Sequence, residues 1–244
     1  MFSFYQTIAE NWSDWWPRLS HAAWITIYVT ALSFVVAFAI GLALEFMRTR
    51  SSVAIRLTAQ IYILTLRGVP ILVVLYLLYF ALPGYGVIIS ALTAGVIGLG
   101  AVHGAFLAEV FRAGLRSVSP GQREAAQAVG LSPFQTFSLI LFPQAIKIVL
   151  PPLLVGFISL LKDSAICALI AVPELMLAAR AIMAETFLPM HVFVLVGVFY
   201  FGIAFPASLL VRALEKRLTR GSTNKSSLET GDILPVARLD GVGR

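Results

Sequence analysis

Charged residues are absent from Ala22 to Leu44, from Gly68 to Ala108 and from Thr186 to Val211, and a further apolar run from Ile148 to Pro173 is broken only by Lys162 and Asp163. A helix of about 20 mostly apolar residues covers the hydrocarbon core of a bilayer. The run from Gly68 is long enough for two crossings and divides at Pro83-Gly84-Tyr85-Gly86. The pattern predicts five transmembrane helices, roughly 21–47, 57–82, 87–111, 148–172 and 189–213. The chain is therefore read as an all-α integral membrane protein.

The segment from about Arg112 to Lys147 is too patterned for a plain loop. Ser119-Pro120-Gly121-Gln122 reads as a capping box with proline at the first helical position, and Gly130 as the C-terminal stop of that helix. Ser132-Pro133-Phe134-Gln135 is a second box, so a second short helix is expected at an angle, closed by Pro143. The predicted unit is helix, glycine corner, helix. Taken alone, it is either a hairpin packed on the bundle's own surface or a protrusion that fits a partner's groove.

Composition fixes the class. Apolar residues make up 59% and charged residues 12% of 244, with mean hydropathy +0.90, against about 25% charged in soluble chains. The net charge of +6 would suggest nucleic acid in a soluble protein, but here the positives flank apolar runs. Eleven of them, from Arg48 to Arg220, collect on one side if the 112–147 segment and the C-terminus share it, against Arg18 and Arg180 close to the membrane on the other. By the positive-inside rule the N-terminus lies outside and the C-terminus in the cytoplasm. The first 20 residues lack a basic n-region, and their Phe2, Phe4, Tyr5, Trp12, Trp15 and Trp16 suggest an outer interfacial segment. From 218 to 244 the composition is that of a disordered tail.

Several chemistries are excluded. There is no Gly-x-x-x-x-Gly-Lys-Ser/Thr loop, so the chain does not itself cradle ATP phosphates, and Gly98, Gly100 and Gly104 have the wrong spacing for a dinucleotide fingerprint. Gly100 and Gly104 instead form a small-xxx-small packing face, and His103 beside them reads as a hydrogen-bonded interior histidine. One cysteine, Cys167, leaves no disulfide and no Cys-based metal site, and His21, His103 and His191 are too scattered for a hydrolase or a metal centre. What remains unusual is charge inside the membrane. Arg67 and Asp163 fall about 15 Å and 22 Å from the cytoplasmic ends of their spans at 1.5 Å per residue, and an unpaired charge there costs about 2.5–3.5 kcal/mol. They either meet a zwitterionic solute, Arg67 gripping its carboxylate and Asp163 its ammonium, or pair with each other, Lys162 or Glu109. Ser159, one turn from Asp163, adds a hydroxyl on the same face.

The motifs resemble a known family. Glu124-Ala125-Ala126, Gly130 and Ile140-Leu141-Phe142-Pro143 are similar to the "EAA…G…I.LP" loop of binding-protein-dependent ABC importer permeases. Arg67-Gly68-Val69-Pro70, Ala108-Glu109-Val110-Phe111-Arg112-Ala113-Gly114 and Phe157 to Ser164 resemble the polar amino acid uptake branch, and the similarity spans about residues 20–218. It implies a type I ABC importer permease fold over 21–217, with a periplasmic segment before it and the cytoplasmic coupling loop at about 117–143. It also implies a place in the bacterial inner membrane and a role as a non-catalytic subunit. The partners it implies are a second permease, identical or homologous, two cytoplasmic ATPases carrying ATP and Mg, and a periplasmic solute-binding protein. Glu124, Ala125, Ala126, Gly130 and Leu131 are then the ATPase-coupling residues, and Arg67, Ser159 and Asp163 border the solute path. Gly156 stands where the family commonly has a polar or acidic residue, so a cationic solute side chain has no evident partner in a homodimer. The alternative is an ion-coupled secondary transporter of a small zwitterion, although such folds usually show inverted repeats and none is evident.

Overall fold

A computed structural model describes residues 2–229; of the disordered tail expected over 218–244, residues 218–229 instead continue the last helix and 230–244 lie outside the described residues. Helix α1, Phe2–Arg48, opens the chain. After it come α2, Val53–Gly68, and α3, Ile71–Tyr76, which runs on through a π turn and a 3₁₀ turn to Tyr85. Helix α4 is Ala91–Arg116, α5 Pro120–Ala128 and α6 Pro133–Gln135. A π turn over Thr136–Leu141 leads into α7, Phe142–Asp163, and a 3₁₀ turn over Ser164–Ile170 follows it. The last two are α8, Leu175–Thr186, and α9, Pro189–Glu229. Among the described residues four helical segments are long and apolar enough to cross a membrane, and the bent pair α2–α3 makes a fifth.

The centre of the bundle is α4. Its main neighbour is α1, and α7, α2 and α3 pack around the pair. Close approach of α1 depends on the glycine face of α4: a Cβ at Gly100 would lie 2.5 Å from Val36 Cγ1, and one at Gly104 2.7 Å from Ile40 Cγ2. Val29, Ala37, Leu99, Leu107, Leu153 and Leu160 form the core across these helices. A second core, built on Trp15, Leu19, Leu175, Ile182 and Val192, joins the start of α1 to α8 and α9.

Three features depart from the sequence-based expectation. The segment expected to precede the first span is continuous with it, because Trp15, fully buried, and Leu19 face α8 and α9 as one stripe. Helix α8 was not expected. Its N-terminus is capped by the buried Glu174, which accepts from Leu177 N at 2.9 Å and from the Tyr200 hydroxyl at 2.9 Å. The second span is not straight: α2 and the following segment meet at 106°. Pro70 explains that bend. It has no N–H to donate and pushes Val69 into extended backbone, φ −94° and ψ 133°.

Candidate functional site

Two places gather the residues singled out in the sequence. The first is the helical corner between α4 and α7. Pro120 starts α5, but the Ser119 side chain makes no cap bond; its carbonyl accepts from Gln122 N at 3.0 Å instead. The other end closes as expected. Gly130 takes φ +77°, its N–H donates to Gln127 O at 3.0 Å, and Leu131 N donates to Ala126 O at 3.1 Å. This is a Schellman closure, which favours glycine because an L side chain resists that φ. Ser132 then forms a complete capping box with Gln135.

The second short helix does not stop at Pro143 as expected. The chain stays helical from Pro133 to Ile170. A proline in a regular helix would leave the carbonyl four residues back without its donor and crowd it with the ring. The widened π turn over Thr136–Leu141 absorbs that defect. The corner is anchored by Ala126 and Thr136, 4% exposed each, and presents Val129 and Phe134 at 75% and 77%. Glu124, Ala125 and Gly130 are exposed beside them, and Leu131 is half-buried.

The second place is the polar interior along α4. Arg67 and Asp163 are not brought together; each pairs with α4. The Asp163 Oδ2 lies 3.0 Å from His103 Nε2, so the interior histidine has its expected hydrogen bond. Arg67 Nη1 lies 3.8 Å from Glu109 Oε1, and its guanidinium stands 5.4 Å from the Phe106 ring centre. Glu109 is a hub: it accepts from Arg48 Nη2 at 2.8 Å and faces Arg112 at 3.7 Å. Of the protein partners left open for Arg67 in the sequence, Glu109 is the one it faces. The position of Arg67 just before the bend, on a helix packed against α4, is what turns it there rather than toward α7.

These pairs leave the polar groups partly free. The side chains of Arg67 and Asp163 are 44% and 33% exposed, and Ser159 is exposed one turn before Asp163. Lys162 lines a separate groove of about 350 Å³ between α7 and α9. Gly156 is half-buried, and a Cβ there would sit 3.3 Å from Leu107 Cδ2. The role of His103 as partner of Asp163 was not read from sequence, since the two are 60 positions apart. An intramembrane carboxylate and a histidine inside another apolar run, both needing a polar partner, were the available signal.

A family model described as binding-protein-dependent transport system inner membrane component matches residues 35–220. A probable amino-acid ABC transporter permease protein of Bacillus subtilis, YckA, is 40% identical over 78% of this chain and 85% of its own length. The glutamine transport system permease protein GlnP of Escherichia coli K12 is 33% identical over 85% and 97%. The crystal structure of an amino acid ABC transporter with histidines superposes with a TM-score of 0.81 at 34% identity, covering 85% of this chain and 97% of that one.

Proposed function

The chain belongs to the binding-protein-dependent transport system inner membrane components, and from that premise we propose that it carries a polar amino acid, or a related compound such as an opine, inward across the inner membrane. It is a multi-pass permease subunit of an ABC importer. ATP and Mg sit on two separate cytoplasmic ATPase subunits, a periplasmic binding protein delivers the solute, and a second permease, identical or homologous, completes the path. The N-terminus is periplasmic and the C-terminus cytoplasmic in this reading, which the eleven-to-two distribution of Lys and Arg supports.

The single observation that carries the coupling role is the corner, a short helix locked by a left-handed glycine and a capping box. It holds a large apolar face, Val129 and Phe134, off the bundle. Leaving two such side chains in water is unfavourable unless something covers them. Glu124, Ala125, Ala126, Gly130 and Leu131 shape that docking element for the ATPase.

Arg67, Ser159 and Asp163 line the solute path in this proposal. Their anchors on α4, Glu109 and His103, are six positions apart, about 9 Å along the helix. The carboxylate and ammonium of one α-amino acid are joined through a single carbon, so one molecule does not span both groups in this conformation. Arg67 and Asp163 act as successive contacts, each with hydrogen-bonding capacity left over. With glycine at 156 in both subunits of a homodimer, a cationic side chain finds no added carboxylate, which favours an uncharged polar solute.

The test is uptake by the complete complex reconstituted with its binding protein. Arg67→Lys and Asp163→Asn abolish uptake while the complex assembles. Glu124→Lys and Gly130→Pro leave insertion intact but separate ATP hydrolysis from transport. Normal uptake in all four sinks the assignment, and arginine as the strongest competitor sinks the solute class.

A further inference from the structure

Beyond the transport reading, the geometry points to a binding site for an anionic phospholipid, its phosphate headgroup held by arginines between the ends of α1 and α4. A cavity of about 680 Å³ opens there, between the last turns of α1 and α4, the first turns of α2, and the corner. Five arginines line it, Arg48, Arg56, Arg112, Arg116 and Arg123, against one acid, Glu45.

The acids nearby are already engaged. Glu45 faces Arg48 at 3.7 Å, and Glu109 serves Arg48, Arg67 and Arg112. Among the described residues Arg56, Arg116 and Arg123 have no carboxylate within ion-pair distance. Arg48, with its side chain 11% exposed, keeps Nε and Nη1 buried without a hydrogen-bond acceptor. A buried guanidinium short of acceptors is costly, and clustered like charges repel. A phosphodiester relieves both, because guanidinium groups match its oxygens with paired hydrogen bonds.

The rest of the lining selects a lipid over a soluble phosphate. Leu42, Phe46, Phe111 and Phe137 alternate with the arginines, whereas a site for a free anion gains nothing from apolar walls. From the cavity an exposed apolar stripe climbs α1 through Phe46, Leu42, Phe38 and Val35, with the spacing of one helix face. That stripe is a track for acyl chains. The cavity also lies where α1 and α4 end in Arg48 and Arg116, the depth at which lipid headgroups stand.

The experiment uses the complex purified with its ATPase and delipidated. It is returned to nanodiscs of phosphatidylcholine carrying a minor fraction of phosphatidylglycerol, and bound lipid is counted by native mass spectrometry. Wild type retains phosphatidylglycerol in preference to phosphatidylcholine by about tenfold, and Arg56→Gln with Arg116→Gln removes most of that preference. Arg56→Lys with Arg116→Lys keeps it in large part, since the charges remain. Equal retention of the two lipids by wild type overturns the site. Displacement of phosphatidylglycerol by an equal concentration of glycerol 3-phosphate identifies a soluble phosphate as the occupant and also overturns it. If the glutamine double variant loses its ATPase while its lipid preference is unchanged, the arginines serve a protein contact and the proposal fails.

Discussion

The α1/α4 seam makes a quantitative prediction, because three glycines on α4 meet neighbours of different stiffness. An alanine at Gly100 would place its Cβ 2.5 Å from Val36 Cγ1 and 2.8 Å from Val36 Cβ. At Gly104 the corresponding distances to Ile40 are 2.7 Å to Cγ2 and 2.8 Å to Cβ. Carbon atoms pack at about 3.5–4.0 Å, and a Cβ cannot be moved by changing rotamer. The two helices must part by close to 1 Å. Overpacking of this kind costs about 1–3 kcal/mol, less the ~0.5–1 kcal/mol that alanine gains over glycine in a helix. Gly98 differs. Its added Cβ would meet Leu75 Cδ2 at 2.6 Å and Leu78 Cδ1 at 3.2 Å, both the tips of side chains that can swing.

Gly98→Ala is therefore expected to stay within about 1 kcal/mol of wild type, and Gly100→Ala and Gly104→Ala each to lose about 1–2 kcal/mol. One separation of the helices relieves both seam contacts, so the double variant costs less than the sum of the singles. The readout is the melting of the purified complex, followed by maleimide labelling of Cys167, the chain's one cysteine, which is fully buried. A Gly100→Ala protein that melts with wild type, a Gly98→Ala protein that melts lowest, or strict additivity of the seam pair would refute the reasoning.

Three further outcomes follow from local geometry. At Gly130, where no atom stands within 4 Å of an added Cβ, the penalty is purely the left-handed backbone. Gly130→Asn is tolerated and Gly130→Val loses about 1–2 kcal/mol, read as ATPase activity no longer stimulated by loaded binding protein. Arg18 donates to both Glu185 oxygens, at 2.6 and 2.8 Å, and holds that carboxyl below its ordinary pKa. The stabilisation is present above the ordinary carboxylate range and lost as pH falls through the lowered value. The melting difference between wild type and Arg18→Gln thus shrinks on acidification, and also in high salt; a difference independent of pH contradicts it. Tyr200→Phe leaves the buried Glu174 one donor short, at a cost of about 1–3 kcal/mol, measured by melting with Phe201→Tyr as an exposed control.

Legibility in the sequence followed the physical range of each signal. Span existence depends only on composition over some 20 residues, and the five predicted segments correspond to the membrane-length elements, the bent pair taken as one. The Gly130 closure is equally local, since its signal is a single residue at a helix end. Three local signals mislead: Pro143 reads as a stop although a π turn carries the helix through it, Pro70 bends a span that reads as straight, and Ser119 opens a box sequence but makes no side-chain cap bond. Long-range contacts were legible only as open alternatives, such as Glu109 for Arg67. Nothing near Trp15 in sequence tells an aromatic at the membrane surface from one buried under α8, since its partners Leu175 and Val192 lie more than 150 positions away. Depth arithmetic brought Arg67 and Asp163 to similar levels, but it holds no information on which way a helix is turned. That orientation sends one to Glu109 and the other to His103.

The same pairing separates structure from transport at these two residues. Glu109 is hydrogen-bonded to Arg48 at 2.8 Å, whereas Arg67 stands off at 3.8 Å, beyond hydrogen-bond reach. Removing Arg48 would strip the half-buried Glu109 of its hydrogen bond; removing Arg67 leaves that acid satisfied. Asp163 commits one oxygen to His103 and keeps the other. A residue kept only to hold the bundle together would be drawn into its tightest contact and sealed from water. Arg67 and Asp163 instead retain spare donors, a spare acceptor and a third or more of their exposure. A charge placed inside a span at a cost of about 2.5–3.5 kcal/mol, with its local partner already served by another residue, supports the proposed solute contact over a purely structural role. Loss of uptake with assembly preserved in Arg67→Lys is the signature that distinguishes the two.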